Sequence, residues 1–296
     1  MPTVCCSVSR SGTRVECDRS SSIVTATLMS ADGSEAVAVA DSRVAHTGEV
    51  TGVACWDSGI EGGRTGWFTC SADAVASWSV DDEGKPVVLS KVEGGGKGAV
   101  AVSDCGTALM VGVGGGMFRV FVVGDNFGLS SWGDMGETGT AEEGVGTFVT
   151  ISGDMLLLVA AVGAALAVYD VKSRVEVARL ELEGTGTATA VAALARGVAD
   201  KAEVAVSTSE GLVSLHSLYG GAQGNNGGQV VTSTAMSVGL AGSFIPHDCP
   251  IPLSLSFGEG HVVVATSAEV DVTLDCRTGA ISLLGEVGED GEGVNS

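Results

Sequence analysis

Residues 247–249, His-Asp-Cys, are the densest local grouping of ligand-type and nucleophile-type side chains in the chain. An imidazole, a carboxylate and a thiol so close together have the makings of a metal half-site or of an activated thiolate. They lie between Pro246 and Pro250, where a plain turn accounts for the same residues. Cys5 and Cys6 are too close for a Cys-x-x-Cys clamp, and neighbours in a strand point to opposite faces. GGGKGA at 94–99 looks like a phosphate loop, but Lys91 stands where that motif needs glycine and Gly98 where it needs Ser or Thr. GVGGGM at 112–117 likewise misses the dinucleotide fingerprint. Neither G-x-S-x-G nor H-E-x-x-H occurs. Asp41, Asp81, Asp82 and Asp125 are carboxylates without a pairing pattern. The expectation is therefore of no catalytic, cofactor-binding or metal-ligating residue.

Composition narrows the class. Apolar residues make up 45% of the chain, enough for a real core, yet aromatics are only 4%, so Val, Leu, Ala and Met must fill it. Gly, 45 of 296 residues, is roughly twice as common as usual, which means many tight turns. Fifteen basic against thirty-six acidic residues give a net charge of −21. Such a surface repels phosphate backbones and anionic lipid, so direct nucleic-acid binding is not expected. The opening MPTVCCSVSR lacks the basic and apolar segments of a signal peptide, and the eight Cys mostly stand where Val or Ala would stand in a strand. Free thiols in a reducing compartment, cytoplasmic or nuclear, are expected. The longest apolar run, 155–169, is short for a membrane span and breaks at Gly163, which reads as a buried hairpin.

These elements repeat. A unit of apolar strand, turn, alternating strand, turn and closing strand recurs six times, and Leu28, Trp78, Phe121, Tyr169, His216 and Leu274 hold equivalent places on the third strand. Their spacings, by subtraction, are 50, 43, 48, 47 and 58 residues, about one four-stranded blade each. The fold class expected is all-β: a β-propeller of four-stranded antiparallel blades over residues 1–285, followed by an acidic flexible tail at 286–296. A helix is the alternative over 192–205, opposed by Gly197 and the repeat.

The clearest unit contains AHTGEV at 45–50 and SADAVASW at 71–78. It resembles the WD40 repeat, with His46 as the entry histidine, Ser71 and Asp73 as the Ser-x-Asp turn and Trp78 as the closing tryptophan. The resemblance implies that His46, Ser71, Asp73 and Trp78 form a buried hydrogen-bond network that locks the blade. Tyr169-Asp170 keeps the closing aromatic–Asp pair. Seven blades is the commonest count in that family; six units are recognisable, and 124–144 and 220–249 are the pieces from which a seventh would come. A closed ring of six and an open ring completed by a partner are the other arrangements.

A propeller of this kind implies a non-catalytic protein-interaction scaffold, a subunit of a larger intracellular complex. Its partner would be a protein, basic or supplying a strand or blade. Trp67 and Trp132 are the interface anchors expected, as aromatics near loops in a chain poor in them. A hydrolase or lyase working at the central channel is the alternative, and needs carboxylates, His or a metal converging there. A recognition module for modified peptides is a third reading, needing an acidic or aromatic channel mouth.

Overall fold

Alternation at period two is the local rule along the chain, and in the computed structural model it becomes six sheets of four antiparallel strands each. The described residues are 4–8, 13–18, 22–29, 34–57, 65–136, 143–151, 155–184, 186–196, 200–220, 230–240, 251–258, 260–266 and 271–283. Blade one is β1 (Val4–Val8), β2 (Arg14–Asp18), β3 (Ile23–Met29) and β4 (Glu35–Asp41). Blade two is β5 (Val50–Asp57), β6 (Thr65–Ser71), β7 (Ala74–Val80) and β8 (Pro86–Glu93). Blade three is β9 (Val100–Val102), β10 (Ala108–Gly114), β11 (Met117–Val123) and β12 (Leu129–Gly136). Blade four is β13 (Gly144–Ile151), β14 (Met155–Val162), β15 (Ala165–Asp170) and β16 (Val175–Glu181). Blade five is β17 (Ala188–Arg196), β18 (Lys201–Thr208), β19 (Leu212–Gly220) and β20 (Val230–Gly239). Blade six is β21 (Pro252–Phe257), β22 (His261–Thr266), β23 (Asp271–Asp275) and β24 (Ile281–Leu283).

In every sheet the strands pair in chain order, and the arrangement is a six-bladed β-propeller. The stretches read as pieces of a seventh blade supply β12 and β20 instead, the fourth strands of blades three and five. An outermost strand borders solvent, so little burial disciplines its pattern, and LSSWGDMG is correspondingly irregular. The apolar run at 155–169 is the hairpin β14–β15, and the alternative helix over 192–205 is strand at 192–196 and 201–205.

The repeat carries a backbone signature as well. In blades two to five the pairing of third and fourth strand slips at one place: after Ser77, Val120, Val168 and Leu215. The residue following the slip is Trp78, Phe121, Tyr169 or His216, the aligned position. A bulge there re-aims the side chain and increases the local twist.

Each seam between successive blades, from one–two to five–six, is filled by its own cluster of buried apolar side chains. The first strands pack on one another from blade to blade, which puts them around the axis. In blades two to five the middle strands are buried on both faces, as at 66–71, 108–112, 157–161 and 213–218. Blades one and six differ. There burial alternates: Val15, Cys17, Val24 and Ala26 face blade two, Val262, Val264, Val272 and Leu274 face blade five, and the residues between them are not buried. Among the described residues no apolar cluster joins blade six to blade one.

Phe127, in the β11–β12 turn, latches blade three to blade two. Its ring lies 6.1 Å edge-on from Trp56 and 6.0 Å from Phe68, and the Ser77 hydroxyl donates to its carbonyl at 2.6 Å. Its φ of 55° is left-handed, a conformation a bulky residue holds only when its surroundings fix it. Ser77→Ala should cost about 1–2 kcal/mol in urea unfolding, the worth of a hydrogen bond whose loss leaves a buried carbonyl unpaired. A change within about 0.3 kcal/mol would show that the ring alone makes the latch.

Candidate functional site

Four residues expected to act together are brought together in blade two, through a fifth. His46 leaves the short helical turn Ser42–Val44 just before β5, Ser71 ends β6, Asp73 occupies the β6–β7 turn, and Trp78 lies in β7. The Asp73 carboxylate can only accept, so the Ser71 hydroxyl donates to it, at 2.5 Å. The Ser71 oxygen is then the acceptor for Nδ1–H of His46 at 2.8 Å. With the proton on Nδ1, Nε2 of the neutral ring accepts from the Thr69 hydroxyl at 2.6 Å. The Thr69 oxygen in turn accepts from Trp78 Nε1–H at 2.7 Å. Every proton points one way along the chain, from Trp78 toward Asp73, and only one tautomer of His46 satisfies it.

The electrostatics agree with that order. Burial pushes His46 down to about 4, so it is neutral at pH 7; the Asp73 charge opposes the shift and the Lys91 charge adds to it. Burial works against the charge of Asp73, but hydrogen bonds from Ser71, from Thr47 and from the Gly48 N–H outweigh it and hold the carboxyl well below the usual range. Thr69, Ser71, His46 and Trp78 are all buried. A closed chain of this kind rigidifies the blade and has no donor left to offer a substrate.

Blade five holds a second buried histidine at the aligned position. His216 Nε2 lies 2.8 Å from Ser214 Oγ and Nδ1 lies 3.3 Å from Thr234 Oγ1. Burial lowers it too to about 4, against the pull of Glu183. The carboxylates at or near the ends of third strands are turn caps. Asp81 accepts from the Glu83 and Lys85 N–H groups, Asp170 from Lys172 and Ser173, and Asp275 from Arg277 and Thr278. Asp41 holds Arg43 with both oxygens.

Trp67 is not an interface anchor. It is 1% exposed and stacks on Trp78, its cross-strand partner, at 6.3 Å between ring centroids. Pairing opposite Trp78 puts it on the same face of the sheet, toward the blade one–two core. That pairing was the signal in the sequence that would have found it. Trp132 stays on the rim, 37% exposed, where its Nε1–H donates to the Val171 carbonyl at 3.0 Å and the Arg174 guanidinium lies 5.2 Å over its ring.

The glycine run at 94–99 is an inter-blade strap. Gly94 and Gly96 donate to the Asp73 and Ser71 carbonyls and Lys97 to that of Gly112. A Cβ at Gly95 would overlap the Ser71 carbonyl, and at Gly96 the Gly112 carbonyl and the Val111 side chain, so only glycine lies this close. Cys17, Cys55 and Cys70 are buried cysteines. Burial raises Cys70 to about 11, which keeps it protonated and inert. The grouping at 247–249 and the stretch 286–296 lie outside the described residues.

The strands around the axis read VCCSV, VTGVACWD, VAV, GVGTFVTI, ATAVAALAR and PLSLSF, with Asp57 and Arg196 at strand ends as their charged residues. No helix among the described residues is long and apolar enough to cross a membrane. The sequence matches no protein-family model, and no curated protein is similar to it.

Proposed function

We propose that the chain is a WD40-like propeller acting as a non-catalytic protein-interaction scaffold within a larger intracellular complex. The observation that carries this reading is the structural commitment of its reactive side chains. His46, His216, Ser71, Asp73, Asp81, Asp170 and Asp275 are engaged in locking blades or capping turns, and the axial strands carry no histidine and one carboxylate, Asp57. The WD40 assignment rests on the Asp73–Ser71–His46–Thr69–Trp78 chain and on the bulge repeated at the aligned position. Buried thiols fit a reducing compartment, cytoplasm or nucleus, and the charge of −21 favours a protein partner over nucleic acid. Trp132 on the rim is the anchor we assign to an interface, since an aromatic there is already oriented by Arg174.

Gentle affinity isolation of the native protein followed by mass spectrometry tests the reading. A stoichiometric protein partner is the expected result. A clean monomer, or turnover by the purified chain in a screen of ester, phosphate and glycoside substrates, would overturn it.

A further inference from the structure

We infer that the seam between blades six and one is the docking site for a β-sheet segment of a partner protein, apolar on the rows that face the seam and rich in Lys or Arg at their margins. The inference deepens the scaffold reading and rests on it. Its starting point is the one-sided burial of the terminal blades. Register puts Glu16, Thr25 and Val39 in one row across the seam face of blade one, and Arg14, Thr27 and Val37 in the next. On blade six the corresponding row is Ser256, Val263, Thr273 and Ser282, with Ala265 and Asp271 beside it. None of these residues is buried, whereas the middle strands of blades two to five are buried on both faces.

Among the described residues this seam leaves two faces, rather than two strand edges, with central rows half-buried and outer rows exposed. Val37, Val39 and Ile23 are 61%, 57% and 43% exposed and share the face of blade one. Exposed β-branched residues in adjacent rows form the flat apolar surface on which another sheet packs, as the blades themselves do. Around that centre lie Glu16, Glu35, Asp41, Asp271 and Asp275. The basic residues nearby are Arg14 and Arg43, paired with Glu16 and Asp41, and Arg277 in the turn after β23, with His261 on the blade-six face, so five carboxylates against three guanidinium groups leave these margins net acidic.

Charge decides the occupant. Like charge on the two faces opposes their closure on each other. A second copy would bring the same acidic faces and a further −21. The chain's own 285–296 stretch carries four acidic residues and no basic one. A partner sheet with apolar rows and basic margins satisfies both the surface and its field.

The test uses the full chain with benzoylphenylalanine placed at Val39, at Thr273, or at Val175, an exposed control on the outer strand of blade four. After irradiation of the native complex, Val39 and Thr273 should cross-link to one Lys/Arg-rich segment of another protein, and Val175 should not. The double substitution Val37→Lys/Val39→Lys should cut co-isolation of that protein about tenfold or more while the melting midpoint of the chain is unchanged. Thr273→Lys, on the opposite face, provides the same readout should the double variant misfold. Full retention of the partner by these variants, or seam cross-links to a second copy or to this chain itself, would overturn the seam while leaving the scaffold standing. A wild-type chain that isolates alone would remove both.

Discussion

Thr69→Val should lower the free energy of unfolding by about 3–5 kcal/mol, far more than a substitution that keeps shape and volume ordinarily costs. The residue is fully buried, and its single hydroxyl serves two neighbours, donating to His46 Nε2 and accepting from Trp78 Nε1–H. Valine fills the same space and satisfies neither. Two polar groups are then left buried without that partner, each at a penalty of about 1–3 kcal/mol. Urea denaturation of the full chain would read this as a shift in midpoint with the slope unchanged. Combined with Trp78→Phe, the loss should fall short of additivity by about 1–2 kcal/mol, because one of the orphaned partners is then gone. A cost under about 1 kcal/mol, or strict additivity, would mean that the proton order from Trp78 to Asp73 is not what holds the blade.

Thr69 also marks where reading the sequence stops. His46, Ser71, Asp73 and Trp78 stand out because their types are unusual in an apolar strand, and a family resemblance gathers them. A threonine inside GWFTCS is an ordinary β-former, and nothing in its neighbourhood distinguishes a hub from a filler. Its role comes from facing His46, which lies in a different element. Strands are legible where one or both faces are buried: β11 and β23 fall within a residue of the period-two runs MFRVFVV and VDVTLD. Legibility fails at the rim. β12 and β20 carry Gly, Ser and Thr because solvent tolerates them, and that poor patterning is why 124–144 and 220–249 read as pieces of a seventh blade. The terminal blades were in plain view but their meaning was not. RVECD and DVTLD alternate strictly and IVTATLM alternates through its middle, whereas MLLLVAAV does not, and that difference is the one between a sheet covered on one side and a sheet covered on both.

Stability should fall steeply as pH drops from about 6.5 toward 4, by roughly 3 kcal/mol for each of the two buried histidines. Burial holds His46 and His216 at about 4 in the native chain, whereas the unfolded chain returns them to the ordinary value of 6.5. Between those values the unfolded state binds protons that the native state refuses, so lowering pH favours unfolding; below about 4 both states hold them and the effect levels off. The lowered Asp73 carboxyl acts in the same direction further down, since its contribution is present above its unfolded value and lost as pH falls through its native one. The refusal has a structural reason in blade two. Nε2 of His46 is already the acceptor of the Thr69 hydroxyl, and a proton there would set two donors face to face unless Thr69 rotates its own away, which it can do only by giving up a partner for that proton. At pH 5, unfolding should therefore take up about two protons, measurable by calorimetry in two buffers of different ionisation enthalpy. Replacing His216 by glutamine should reduce the uptake by about one proton whatever it does to stability at pH 7, because the count reports the titrating ring and not the packing around it. An uptake near zero would mean that both rings reach water in the native chain, and would remove the buried histidines from any account of how these blades are locked.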